Sequence, residues 1–163
     1  MPYEMKIDGM AEISETLSKL EERAPRIAAK ALYEGAGIMA DAIKSGAGSI
    51  KTAPFKWASR SRGETRLPSP EEKAIVENAA AGIARFDKNG TEVQTSVGFQ
   101  NAGYAELDGK VVPVPVIVNS INSGTSFMQK QPFVRKAAKS GGTKAMAAMK
   151  EVIEDEFAAI TKN

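Results

Sequence analysis

A chain of 163 residues is long enough to bury a core within one domain, and 42% apolar with 26% charged residues is the balance of an ordinary soluble globular protein. With no cysteine and no histidine, disulfides, thiolate nucleophiles, Cys or His zinc sites and every His-based catalytic triad are excluded. A net charge of +2 is too small by itself to argue for nucleic acid, no run of about 18 apolar residues exists to cross a membrane, and Glu4, Lys6 and Asp8 interrupt any secretion signal.

Tyr3, Met5 and Ile7 alternate with Glu4, Lys6 and Asp8, which predicts a short half-buried strand over residues 2–7 before a turn at Asp8–Gly9. Met10, Ile13, Leu17 and Leu20 then recur at three- and four-residue spacing opposite Glu12, Glu15, Lys19 and Glu21, the pattern of an amphipathic helix over 10–23. Pro25 would remove a hydrogen bond from that helix but suits the first turn of a new one, so a kink or short break is expected there. The apolar register resumes at Ile27, Ala31, Ile38 and Ala42, with Leu32, Met39 and Ile43 widening the stripe. Ala28, Gly35, Ala36 and Gly37 lie between them and are small enough to admit another backbone. This stripe reads as a core helix against a sheet, or as a helix packed on both sides, once within its own subunit and once by a neighbour. Gly46 and Gly48 supply the stop.

Residues 48–70 lose periodicity and are rich in Ser, Thr, Pro, Gly and Arg, which marks a long loop. Lys51, Lys56, Arg60, Arg62 and Arg66 outnumber the single Glu64, and Phe55 and Trp57 interleave with them. Aromatic residues among cations are what contact phosphates and stacked bases, so a small nucleic-acid-binding domain using this loop is one functional reading. A solvated arm is the other. Ser69–Pro70–Glu71–Glu72 then fits a helix start, with Ser69 as N-cap, Pro70 in the first position and carboxylates against the helix dipole, and a helix should run to about Ala81.

Strands over 83–87 and 91–99 flank Lys88–Asn89–Gly90, where Asn–Gly is a strong hairpin signal, and Val93, Thr95, Val97 and Phe99 alternate with polar residues. Residues 110–119 hold Val111, Val112, Val114, Val116, Ile117 and Val118, a β-branched run expected to pair with that hairpin. Pro113 and Pro115 cannot donate ladder bonds, so this strand should lie at an edge or cross between subunits. Near the C-terminus, Gly141–Gly142 is expected to separate a short helix from a longer one carrying Ala145, Met149, Val152, Ile153, Glu156, Phe157 and Ile160 in register.

The most informative stretch is Asn122-Ser-Gly-Thr-Ser-Phe-Met-Gln-Lys-Gln-Pro-Phe-Val-Arg-Lys-Ala-Ala138. Gly124 stands where a chain can turn through positive φ, and Pro132 suits the first turn of a helix, so a strand is expected to end and a helix to begin. Phe133, Val134 and Ala137 put an apolar edge on that helix and leave Arg135, Lys136 and Lys139 free for solvent or a partner. This stretch resembles the C-terminal signature of a family of tailed-bacteriophage morphogenesis proteins that act at the neck, in head–tail joining and tail completion. In that family a Gly-Thr pair leads into a Pro-Phe-hydrophobic-Arg helix start, matched here by Gly124, Thr125, Pro132, Phe133 and Arg135. Asn122 and Ser123 stand where the family carries an acidic and an aromatic residue. Ile7-Asp-Gly-Met-Ala-Glu-Ile13 is similar to the family's opening turn into a long helix.

The resemblance implies a structural protein made in the bacterial cytoplasm, which forms a ring in the virion neck and continues the DNA channel from head to tail. Its neighbours would be other neck proteins and the tail tube, with passing contact to DNA phosphates and none to a membrane. The ring would be six-fold if it follows the tail tube, or twelve-fold if it follows the portal. Gly124, Thr125, Met128, Pro132, Phe133 and Arg135 are the candidate assembly residues, and Lys51, Lys56, Trp57, Arg60, Arg62 and Arg66 the candidate contacts to DNA or a partner.

No catalytic, cofactor or metal site is expected. Ser140-Gly-Gly-Thr-Lys144 reverses the Lys-Thr order of a phosphate loop, and Gly46-Ala-Gly-Ser49 follows a helix where a dinucleotide fingerprint needs a strand. Glu71 with Glu72, and Glu151 with Glu154 and Asp155, lack the spacing of a calcium loop and read as solvated helix faces. The predicted fold is α+β: a small antiparallel sheet from residues 2–7, 83–87, 91–99 and 110–119, packed by long N-terminal helices and a C-terminal amphipathic helix.

Overall fold

A computed structural model describes residues 10–56, 62–79, 81–89, 92–100 and 103–162. Among the described residues the fold is α+β, with four helices and two small antiparallel sheets of two strands each. The strand expected over residues 2–7 lies outside the described residues.

Helix α1 spans Met10–Gly48 without a break at Pro25. A proline inside a helix costs about 3 kcal/mol. Burying Ile27 and Ile43, to 6% exposure each, offsets it, since each such side chain contributes about 1.5–3 kcal/mol. The helix therefore continues where a kink or short break is expected, because a row of apolar and small residues is packed along most of its remaining length, at Ile27, Ala31, Ala36, Ala40, Ile43 and Ala47, while Ile38 and Ala42 of the expected stripe are only half-buried.

Its main partner is helix α4, Phe133–Thr161, which packs against it antiparallel. Lys30 pairs with Glu156 at one end, and Gly46 meets the Phe133 carbonyl at the other. Glycines let the two backbones close in. A Cβ on Gly141 would lie 2.8 Å from the Ala42 Cβ, and one on Gly35 would lie 2.8 Å from Met149 Cγ. The expected separation at Gly141–Gly142 is thus corrected to one continuous helix. Each helical glycine costs about 1 kcal/mol relative to alanine, and at Gly141 the close approach of α1 compensates.

Helix α2, Pro70–Asn78, starts where the sequence places it and ends before Ala81. Strands β1, Ala81–Asn89, and β2, Glu92–Phe99, form the expected hairpin, with Ile83 opposite Val97, an irregularity between Ile83 and Arg85, and Asn89 opposite Glu92. Val93, Thr95 and Val97 are half-buried while Glu92, Gln94 and Ser96 are exposed, so the hairpin lays one face on α1.

The strand predicted over 110–119 is corrected most. Only β4, Lys110–Pro113, is extended; it pairs with β3, Tyr104–Leu107, rather than with the first hairpin. Asp108 and Gly109, at φ 51° and 72°, make the tight turn between them. Val114–Ser123 is helix α3. Val114, Ile117 and Ile121 recur at helical spacing and all are buried, so packing at that period overrides the β propensity of the valines. Pro115 falls within the first helical turn, where its missing N–H leaves no intrahelical bond unmade. The core joins the four helices and β1 through Ile43, Ala47, Ile50, Val76, Ala81, Ile117, Ile121, Met128, Phe133 and Ala137, with Val97 and Phe99 of β2 and Val112 of β4 packed against it.

Candidate functional site

The corner between α3 and α4 is built by local hydrogen bonding. Gly124 closes α3 with its N–H on the Ser120 carbonyl at 2.9 Å, and takes φ 76° and ψ 166°, a region open essentially to glycine alone. A Cβ there would also stand 2.9 Å from the Lys130 Cβ and 3.1 Å from Lys130 backbone atoms. Thr125 then folds the chain back. Its Oγ1 accepts from the N–H groups of Phe127 and Met128 at 3.3 and 3.0 Å, and its own N–H donates to the Met128 carbonyl at 3.0 Å. Met128 is thereby driven into the core at 3% exposure, while Phe127 remains 43% exposed.

Pro132 occupies the N-cap of α4, one position before the first helical residue, and offers no side-chain cap. Asn122 supplies one from α3: its Oδ1 accepts from the Val134 N–H at 3.2 Å. Phe133 is buried edge-on to Phe99, with ring centroids 6.3 Å apart, and Arg135 is exposed. The element before the corner is thus a helix, not the expected strand, but the glycine turn and the helix after it stand where the sequence puts them.

The corner also organises the loop that precedes α2. The Gln131 side chain brackets the Lys51 backbone, accepting from its N–H at 2.9 Å and donating to its carbonyl at 2.8 Å. Arg66 forms a one-residue parallel bridge with Met128: the Arg66 N–H donates to Phe127 O and the Gln129 N–H to Arg66 O, both at 2.8 Å. Its guanidinium holds Glu72 through two 2.7 Å bonds and lies 4.9 Å from the centroid of the Phe55 ring. Glu72 closes the capping box of α2, accepting from the Ser69 N–H at 2.7 Å while its own N–H donates to Ser69 Oγ at 3.2 Å. Burial pushes the Glu72 carboxyl up, but the hydrogen bonds from Arg66 and Ser69 outweigh it and hold its pKa below the ordinary value. The Arg66 guanidinium is correspondingly held more firmly protonated by Glu72.

Of the basic loop, therefore, Arg66 is committed to an internal pair with side chains only 13% and 5% exposed. Lys56 is exposed, and Arg62 is exposed beside Glu64 at 3.7 Å. Trp57 and Arg60 lie outside the described residues. The structure brings Gly124, Thr125, Met128, Pro132, Phe133 and Arg66 into one node and keeps Arg135 on its surface. Asn122 and Gln131 were not singled out for these roles, and Glu72, expected on a solvated helix face, is instead 4% exposed because it accepts from Arg66 and from the Ser69 N–H. A signal for Glu72 existed in the Ser-x-x-Glu spacing of a capping box, whereas Gln131 pairs with a peptide group 80 residues away and leaves no local trace.

Among the described residues, no group of three or more His, Cys, Asp or Glu side chains is placed to hold a metal ion, and no helix is long and apolar enough to cross a membrane. Large apolar side chains remain outside the core: Ile13 and Leu17 on α1, Tyr104 and Val111 on the β3–β4 hairpin, Val116 on α3, and Met146, Ile153 and Phe157 on α4, each between 37% and 76% exposed. Comparison of the chain with protein-family models, with curated protein sequences and with solved structures gives no match.

Proposed function

We propose that this protein is a structural subunit of a tailed phage or phage-tail-like particle, which assembles as a ring at the neck, joins head to tail and continues the DNA channel. The observation that supports assembly best is the distribution of exposed apolar side chains over several separate faces, on α1, on the β3–β4 hairpin and on α4. Exposed apolar side chains that line up on one face, as Ile13 and Leu17 do on α1 and Met146, Ile153 and Phe157 do on α4, mark association, and a subunit with more than one such face can be covered on two sides by neighbours. The neck assignment rests on the resemblance carried by Gly124, Thr125, Pro132, Phe133 and Arg135. Its role there is joining and sealing rather than turnover. The corner suits that work because its turn, cap and bridge hold the start of α4 rigidly against three other segments, so a partner meets a preformed surface.

The test is cryo-electron microscopy of the assembled particle. A closed ring of this chain between head and tail is expected, six-fold by analogy with the tail tube and twelve-fold if it follows the portal. A single copy per particle, or an open filament, overturns the ring.

A further inference from the structure

Helix α4 is shorter than the helix it packs against. With Lys30 beside Glu156 and Gly35 facing Met149, the antiparallel register brings Thr161 level with the turn around Pro25. At 1.5 Å per residue, residues 10–24 of α1 project about 22 Å further. None of residues 12–24 is buried; Ile13 is 57% and Leu17 59% exposed, with Leu20 half-buried in the same row. That row runs on through Ala24 to Ile27, where it becomes buried. The projecting stripe is thus the continuation of a seam made for an antiparallel helix.

Helix α4 carries a face to match. At helical spacing Arg135, Lys139, Met146, Ile153 and Phe157 share one side, all exposed, Met146 to 69%. From Phe133 to Lys150 this helix holds five cations and no carboxylate, its acidic residues Glu151, Glu154, Asp155 and Glu156 being confined to the stretch after Lys150, so the face is basic around Met146 and not around Phe157; residues 10–24 hold Glu12, Glu15, Glu21 and Glu22 against Lys19 and Arg23.

We infer that the projecting segment of one copy docks on the outer face of α4 of a second copy, around Met146. Opposite net charge favours this contact over the pairing of two projecting segments, which would set like charges together. Because the two surfaces differ, the contact is head-to-tail and repeats from copy to copy. The inference rests on the reading that the subunit assembles with itself, and supplies the interface.

The chain has no cysteine, so an introduced pair reports one contact. Within one copy Leu17 and Met146 are separated by about 30 Å along α1, so a disulfide between Leu17→Cys and Met146→Cys must join different copies. The oxidised double variant is expected to give a ladder of covalent dimers, trimers and larger species. Combining it with Lys139→Glu and Lys150→Glu should lower the yield about tenfold, and adding Glu21→Lys and Glu22→Lys should restore it. No ladder, or dimers formed as efficiently by Leu17→Cys alone, overturns the interface, the second outcome in favour of paired projecting segments. Electron microscopy of the unsubstituted protein separates this from the ring itself. Closed rings without the ladder overturn the interface and leave the ring, whereas a ladder with open filaments upholds the interface and overturns the ring.

Discussion

The Gln131 side chain makes with Lys51 the two hydrogen bonds that a neighbouring strand would make, accepting from its N–H at 2.9 Å and donating to its carbonyl at 2.8 Å. An amide can do this because it carries a donor and an acceptor on one planar group. The contact fixes the start of the basic loop to the segment that launches α4, so the loop leaves α1 in a set direction.

Gln131→Glu keeps the acceptor and loses the donor. It should cost about 1 kcal/mol, the net contribution of one partly exposed hydrogen bond, and Gln131→Leu about twice that. Chemical denaturation measures both. Equal stability of Gln131→Leu and the unsubstituted protein would show that the bracket contributes nothing.

Arg66 and Glu72 form a buried pair, and removing one partner strands the other. Glu72→Ala or Arg66→Ala should each lose about 3–5 kcal/mol. Arg66→Lys should recover only part of it, because an ammonium cannot make two parallel bonds to one carboxylate. A thermal melt of Arg66→Lys indistinguishable from that of the unsubstituted protein would refute the bidentate requirement.

The same pair sets a pH dependence. Glu72 titrates below its ordinary value in the fold, so the unfolded chain takes up the proton more readily. The stabilisation is fully present above about pH 4.3, the ordinary glutamate value, and is lost as pH falls through the lower folded value. Glu72→Gln should therefore show a shallower fall in stability over that acid range. An unchanged slope would remove Glu72 as the group responsible.

Gly124→Val meets both a φ of 76° and the Lys130 backbone at 3.1 Å. The strain should be about 1–3 kcal/mol, enough to displace the turn and with it the start of α4. Gly124→Ala should suffer most of the same penalty, since the clash begins at Cβ. Normal stability and assembly of Gly124→Val would refute the role assigned to this glycine.

What the sequence determined by itself are features whose partners lie within a few residues. Ser69, Pro70 and Glu72 specify the start of α2 because a cap is closed over three residues, and β1 pairs with β2 as far as Asn89 opposite Glu92 because strands that are neighbours in sequence meet at little cost in loop closure. Gly124 is legible for the same reason. Asp108–Gly109 carried an equally local signal and marks a second hairpin. Tertiary structure decided the rest, where local preference and packing disagree. The valines around Pro115 prefer a strand, yet Val114, Ile117 and Ile121 reach the core only at helical spacing; Gly141 should weaken a helix, yet only a residue without Cβ admits Ala42. Pro25 should interrupt α1, but the burial that follows it exceeds the cost of one lost bond. Arg66 looks available to a phosphate, and its bond to Glu72, six residues on, is completed by a bridge to Met128 from a distant part of the chain. Each of these outcomes depends on surfaces that exist only once remote segments have met, so the free energy that selects them is absent from any short window of sequence.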